Sequence, residues 1–213
     1  LPQQIVDHCM RLPDMPASSA LDLANKSLAV DYAKLGEDYI AATRPAAGST
    51  AHFVDTQPLN FMYVGFIRLA LPKAKIVLLQ RDPIDTCFAI FKTLFQHRHP
   101  YSCDLEELAQ YFVAHRALTD HWLELMPDAI HVVRLEELIA NPRPVIEDLL
   151  EYCSLSFEES CLHFFDPPNS ANPIPSQAYR ASSRVTIGKW KHYAEQLQPA
   201  ADILGKAGLL SSV

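Results

Sequence analysis

Apolar residues along the chain follow two kinds of pattern. Three short runs are predicted as strands, at 52–56, 75–80 and 130–136, and longer segments between them have helical spacing. The second run, KIVLLQ, is apolar throughout, as expected of a strand that is covered on both faces. Strands that alternate with helices predict an α/β fold, with a central parallel sheet flanked by helices on both faces.

The helical segments have recognisable ends. Predicted helices cover residues 21–42, 58–71, 82–96, 104–126 and 144–152. The first is expected to end near Arg44 and Pro45, and the second to be well buried and closed by Pro72. Ser102 or Asp104 could cap the fourth helix, whose first turn carries glutamates that favour the helix dipole.

The stretch VLLQRDPIDTCFAIF joins the second strand to a helix through Arg81. Ligands of parallel sheets bind at the carboxyl ends of the strands, where Arg81 would lie. Pro83 suits a first helical turn, and the free N–H groups there, with the guanidinium, would make an anion site. Alternatively, Arg81 pairs with Asp85 or another carboxylate, and periodicity alone favours that alternative.

A second basic cluster follows the proline-rich segment 167–175. It comprises Gln177, Arg180, Arg184 and the sequence IGKWKHY at 187–193. These cations could close over a bound nucleotide, or they could form a solvated surface. For Trp190 itself, packing in the core is the favoured interpretation.

Composition excludes several classes of protein. A net charge of -7 gives no general electrostatic case for binding nucleic acid or an acidic membrane. The 5 cysteines have no CxxC spacing, so they predict reduced thiols and a cytoplasmic setting. The histidines form no ligand set, so no metal is expected. No signal peptide, membrane-length apolar run, GxGxxG or GxxxxGK[ST] motif is present, and residues 1–213 are interpreted as a single domain.

Four stretches, taken in order, resemble sulfotransferases that use 3′-phosphoadenosine 5′-phosphosulfate (PAPS). The nearest group is the bacterial enzymes often fused to tetratricopeptide repeats, which are related to tyrosylprotein sulfotransferases. The matching stretches are VDTQPLNFMYVGFI, IVLLQRDPIDTCFAIF, HWLELMP followed by HVVRLEELIANP, and the segment from Gln177 through IGKWKHY. The resemblance covers about residues 38–197 and implies a P-loop-type sulfotransferase fold.

The resemblance also implies a function and a set of roles. The reaction would move a sulfuryl group from PAPS to a hydroxyl or amine acceptor, without a metal. Arg81 would hold the 3′-phosphate, while Gln177, Arg180 and Arg184 would close over the nucleotide. Asp55 and Thr56 would lie near the sulfuryl group, and Asp55 is either a candidate base or a structural residue.

Several positions depart from the family pattern. Thr56 replaces a lysine, Ala89 replaces a serine of the 3′-phosphate site, and Leu135 replaces a tyrosine that helps to position the adenine. The family's Pro-Arg-Ser-Gly-Thr loop is expected upstream of Leu1, so the chain is interpreted as a fragment with a divergent site. A non-catalytic binding or scaffold module and a P-loop small-molecule kinase are the alternatives.

Overall fold

The computed structural model describes residues 27–93, 95, 99–163 and 187–210. The chain divides into two compact units, residues 1–74 and 75–213. That the whole chain forms one domain stays a prediction.

The first unit contains a long helix, α1 (Tyr32–Ala47). Asp31 caps its start, since its carboxylate accepts a hydrogen bond of 3.0 Å from the Lys34 N–H. The prediction that the helix ends near Pro45 is wrong, because α1 continues to Ala47 and ends at Gly48, with φ of 75°. A proline in the last turn removes only one backbone bond, so the helix continues past it.

A short helix, α2 (Val64–Ala70), packs against α1 after a 3₁₀ turn at Asn60–Tyr63. At Gly36 the two backbones are so close that a Cβ atom would lie 2.0 Å from the Ala70 carbonyl oxygen. Only glycine fits such an approach. The prediction that α2 is well buried is wrong, because Leu69 is 58 % exposed and the short helix hides only Val64 and Ala70.

The segment His52–Thr56 was predicted to be a strand and is not one in the structure. It has no strand partner among the described residues. Asp55 accepts hydrogen bonds from the Gln57 N–H and the Asn60 side chain, which bend the chain into a turn. A short polar side chain that bonds to nearby backbone competes in this way with strand formation.

The second unit alternates strands and helices. Its regular elements, within the described residues, are β1 (Ile76–Gln80), α3 (Pro83–Phe91), α4 (Leu105–Leu125), β2 (Ile130–Arg134), α5 (Leu135–Ala140), α6 (Pro142–Tyr152) and α7 (Gln198–Lys206). The predicted helix after Arg81 is therefore shorter than expected, and the strand predicted to reach Glu136 ends at Arg134. Asp104 caps α4 by accepting from the N–H groups of Glu106 and Glu107, as predicted.

The two strands form a parallel pair, which confirms the predicted strand direction. The register runs from Ile76 beside Ile130 to Gln80 beside Arg134. Burial alternates along β1, and Val77 and Leu79 are 43 % and 58 % exposed. Side chains of a strand point alternately to its two faces, so within the described residues one face of β1 is partly buried and the other is exposed, and the expected cover on both faces is not seen there. That helices flank both faces of the sheet stays a prediction.

The core of the second unit lies where α3, α4 and α7 meet. Its buried members come from these helices and the turn before α7, and they are Ile84, Cys87, Leu108, Ala109, Leu197, Ala200 and Leu204. Trp190 packs against this cluster while remaining partly exposed, which confirms the interpretation of Trp190 as a packing residue. The core therefore fixes α3, the helix that begins just after Arg81.

Candidate functional site

Arg81 lies at the carboxyl edge of the strand pair. Gln80 and Arg134 are partners in the parallel register, so Arg81 and Leu135 follow at the same edge. Leu135 begins α5 and is half-buried. Because ligands of parallel sheets bind outside this edge, Arg81 and Leu135 lie where a ligand would be expected.

The Arg81 side chain lies beside a buried carboxylate. One of its terminal nitrogens, Nη2, is 3.7 Å from Oδ1 of Asp85, with the Arg81 side chain 21 % exposed and that of Asp85 1 % exposed. This is the pairing that the periodicity of the sequence favoured. A guanidinium has five N–H groups, so an ion pair of this length does not prevent Arg81 from also binding an anion.

The first turn of α3 uses its own polar groups. Asp82 caps the helix, because its Oδ1 accepts a 2.8 Å hydrogen bond from the Asp85 N–H. Its carbonyl accepts from both the N–H and the hydroxyl of Thr86, at 2.9 and 2.8 Å. Pro83 has no N–H. The Asp85 N–H is therefore not among the free helix N–H groups expected beside Arg81, and an anion here would depend chiefly on the guanidinium.

Glu136 links the segments that follow the carboxyl ends of the two strands. Its Oε1 accepts a 2.8 Å hydrogen bond from the Asp82 N–H, across 54 positions of sequence. This bond fixes the backbone just after Arg81 to α5. Glu136 was not predicted as a site residue, although a carboxylate at the end of a predicted strand is a signal that could have found it.

Asp85 connects Arg81 to residues 187–193, the last part of the second basic cluster. Its Oδ2 accepts a 2.8 Å hydrogen bond from the Gly188 N–H. Gly188 has φ of 75°, in the left-handed region, and begins a 3₁₀ helix at Lys189–Tyr193. The structure thus brings Arg81 and residues 187–193 onto one carboxylate, whereas Gln177, Arg180 and Arg184 lie outside the described residues.

Ala89 lies two turns along α3 from Arg81 and is half-buried. Its side chain carries no donor, and its carbonyl accepts a 2.7 Å hydrogen bond from the Thr93 hydroxyl. The hydroxyl of Thr86 is already bonded to Asp82. The hydroxyls of Thr86 on α3 and of Thr93, two residues beyond its end, therefore both donate to the backbone.

Asp55 and Thr56 belong to the first unit, where Asp55 holds a turn together. The Tyr39 hydroxyl donates to Asp55 Oδ2 at 2.6 Å, and Gln57 N–H and Asn60 Nδ2 donate to Oδ1 at 3.0 and 3.1 Å. Burial acts to raise the pKa of Asp55, but these hydrogen bonds outweigh it and the pKa is lowered. Thr56 is exposed. A carboxylate with a lowered pKa is a poor base, so a catalytic role for Asp55 stays a prediction.

The described residues hold neither a group of three or more metal-binding side chains nor a helix long and apolar enough to cross a membrane. Burial raises the pKa of the Cys87 thiol to about 12, so this thiol stays protonated. Cys103, Cys153 and Cys161 are also free thiols.

Comparison with known proteins places the chain in a family. The model of the sulfotransferase family matches residues 3–159. An uncharacterized protein of Aquifex aeolicus (strain VF5) is 31 % identical over 158 residues, which are 71 % of this chain. The chain spans only 20 % of the length of that relative, and no solved structure matches. On the extent of the family match, the chain belongs to the sulfotransferase family.

Proposed function

We propose that the protein transfers a sulfuryl group from PAPS to a hydroxyl or amine acceptor. The observation that carries this proposal is the position of Arg81. It lies at the carboxyl edge of the strand pair, beside Asp85, which also binds Gly188. Family membership supports sulfuryl transfer as the reaction class, and a guanidinium at this edge suits a phosphate of the donor.

The residues fit the donor in part. In this proposal Arg81 holds the 3′-phosphate, and Leu135 and Ala89 lie beside the nucleotide without donating to it. Gln177, Arg180 and Arg184 would supply further contacts. Asp82, Asp85 and Glu136 bring negative charge near Arg81, so binding of the phosphate requires cations beyond Arg81.

Sulfuryl transfer requires little covalent chemistry from the protein. The bond between sulfur and the phosphate oxygen breaks, a bond between sulfur and the acceptor oxygen or nitrogen forms, and the acceptor proton passes to a base. Positioning and electrostatic stabilisation of the leaving phosphate supply the rate enhancement, as in phosphoryl transfer. Asp55 and Thr56 are the proposed residues near the sulfuryl group.

Three finer features belong to the same proposal. The fold would be of the P-loop sulfotransferase type, with the Pro-Arg-Ser-Gly-Thr loop cradling the 5′-phosphosulfate. The protein would work in the cytoplasm, consistent with 5 cysteines that show no paired spacing. It would be fused to tetratricopeptide repeats, as the related bacterial enzymes often are.

Isothermal titration of the full-length protein with adenosine 3′,5′-bisphosphate, the product nucleotide, tests the proposal. We expect micromolar binding that weakens at least about tenfold in Arg81→Ala, since a charge-assisted contact to phosphate is lost. Arg116→Ala is the matched control, because Arg116 pairs with Asp120 on α4. Binding no tighter than millimolar and unchanged by Arg81→Ala would refute the proposal.

Assays with the donor separate the two alternatives. A sulfotransferase releases adenosine 3′,5′-bisphosphate from PAPS when a nucleophilic acceptor is present. Binding without any such release would indicate a non-catalytic module of the same fold. Tight binding of ATP with no binding of adenosine 3′,5′-bisphosphate would indicate a kinase.

A further inference from the structure

The Asp85 carboxylate is buried and shared between two parts of the second unit. Its side chain is 1 % exposed, with Oδ2 bonded to the Gly188 N–H at 2.8 Å and Oδ1 lying 3.7 Å from Arg81 Nη2. A buried carboxylate is costly unless other groups compensate its charge. Here the compensating groups are a guanidinium, a backbone N–H and the first turn of α3, where a negative charge is favourable.

Gly188, which donates its N–H to Asp85, has a left-handed backbone conformation. Its φ of 75° directs the chain into the 3₁₀ helix Lys189–Tyr193, and the Tyr193 ring then stacks on Phe88 with centroids 5.1 Å apart. Asp85 and Phe88 are three positions apart on α3, and therefore on the same side of the helix. Residues 187–193 are thus attached to α3 at two successive points.

We propose that Asp85 is a positioning residue of the nucleotide site, an inference that rests on the proposed function. It orients Arg81 and holds residues 187–193 against α3. Arg81 and residues 187–193 then act together on one group of the ligand, a phosphate monoester on the 3′ carbon of a ribose. Asp85 does not touch the ligand, and its effect is transmitted through Arg81 and Gly188.

Two opposing effects of Asp85 can be separated by substitution. Its negative charge lowers the attraction of Arg81 for a phosphate, whereas its hydrogen bond to Gly188 keeps residues 187–193 in place. Asp85→Asn removes the charge but retains an oxygen that can accept from Gly188. Asp85→Ala removes the charge and the acceptor together, so a comparison of the two variants isolates the hydrogen bond.

The experiment measures binding of adenosine 3′,5′-bisphosphate and of adenosine 5′-monophosphate to the full-length wild type and both variants. The ratio of the two dissociation constants reports the contribution of the 3′-phosphate, and a general loss of folded protein does not change it. We expect Asp85→Asn to keep this ratio within about threefold of wild type. Asp85→Ala should reduce it about tenfold, the effect of one hydrogen bond to a charged group.

Equal ratios in Asp85→Asn and Asp85→Ala, with wild-type protein still preferring the bisphosphate, would overturn the inference and leave the proposed function intact. If wild type itself shows no preference for the bisphosphate, the proposed function fails instead. The two failures are therefore distinguishable within one set of titrations.

Fluorescence of Trp190 covers the case in which Asp85→Ala does not fold. The protein has 2 tryptophans, so Trp122→Phe leaves Trp190 as the reporter of residues 187–193. An added Arg81→Ala change removes the cation that Asp85→Ala would leave uncompensated. In the protein that carries both Trp122→Phe and Arg81→Ala, we expect acrylamide to quench Trp190 more strongly with Asp85→Ala than with Asp85→Asn. Equal quenching in these two variants would overturn the inference.

Discussion

Tyr152→Phe tests how the strand pair is held at the edge opposite Arg81. The Tyr152 hydroxyl donates to the Ala129 carbonyl at 2.8 Å and lies 3.2 Å from both the N–H and the carbonyl oxygen of Ile76. Ala129 immediately precedes β2 and Ile76 begins β1. One hydroxyl therefore joins the amino ends of the two strands.

The expected loss of stability follows from the number of hydrogen bonds that the Tyr152 hydroxyl can make. It has one proton to donate and can accept from the Ile76 N–H, so two hydrogen bonds are lost at once. Each contributes about 0.5 to 1.5 kcal/mol net, and water can reach this half-buried position in part. We expect the free energy of unfolding to fall by about 1 to 2 kcal/mol.

The substitution leaves the rest of the contact unchanged. A phenylalanine ring can still stack on His131, whose ring centroid is 4.9 Å away, and can still lie under the Lys75 ammonium, 4.8 Å from the centroid. Urea unfolding followed by circular dichroism measures the difference. Tyr193→Phe is the control, because that tyrosine is 50 % exposed and its stacking on Phe88 persists. If Tyr152→Phe changes the free energy of unfolding by the same amount as Tyr193→Phe, within error, the reasoning is refuted.

Three further predictions concern packing, protonation and thiol reactivity. Gly36→Ala should destabilise the protein by about 1 to 3 kcal/mol in urea unfolding, because the new Cβ would overlap the Ala70 carbonyl. The control is Gly205→Ala, whose Cβ would lie 4.0 Å from the Leu210 side chain and which should be neutral or stabilising. Equal effects of the two substitutions would contradict the packing at Gly36. Tyr39→Phe should lower stability near neutral pH by about 1 kcal/mol, since Asp55 loses a hydrogen bond to its charged form. The folded pKa of Asp55 lies below its ordinary value of 3.8, so this difference should disappear as the pH falls below 3.8, and a constant difference would contradict the assignment. Iodoacetamide should modify exposed Cys103 far faster than buried Cys87, whose pKa is raised to about 12 by burial, as mass spectrometry of the native protein would show; comparable rates would contradict the burial of Cys87.

Local chemistry allowed part of this fold to be predicted. The strand before Arg81 and the helix after it were predicted because an apolar run ends at a charge and Pro83 follows within two positions. Ser102 and Asp104 were the two predicted caps of α4, and Asp104 is the one that caps it. Such features depend on neighbours in sequence, so the sequence alone reveals them.

Other features depend on interactions that compete with the structure predicted from the apolar pattern, and the pattern does not show those interactions. The segment at 52–56 has the composition of a strand, but the Asp55 side chain bonds to Gln57 and Asn60 and forms a turn instead. The apolar run of β1 predicted cover on both faces, yet Val77 and Leu79 are exposed. A run of apolar residues indicates which side chains suit burial, and the available neighbours decide which are buried.

The candidate site was predicted only in part. Arg81 was selected from its place after a strand, and the alternative pairing with Asp85 was named beforehand. The bond from Gly188 to Asp85 could not be predicted, because 103 positions separate the two residues and nothing local marks them as partners. Gln177, Arg180 and Arg184 stay predictions, as do the roles of Asp55 and Thr56.

The separation of 103 positions between Asp85 and Gly188 has a consequence for folding. Closing a loop of 103 residues costs about 4 kcal/mol in chain entropy, more than one hydrogen bond returns. The bond can therefore persist only after Ile84, Leu197 and Leu204 have packed together and brought the two segments close. The junction beside Arg81 should consequently be among the last parts of the second unit to form, and the first to open when that core loosens.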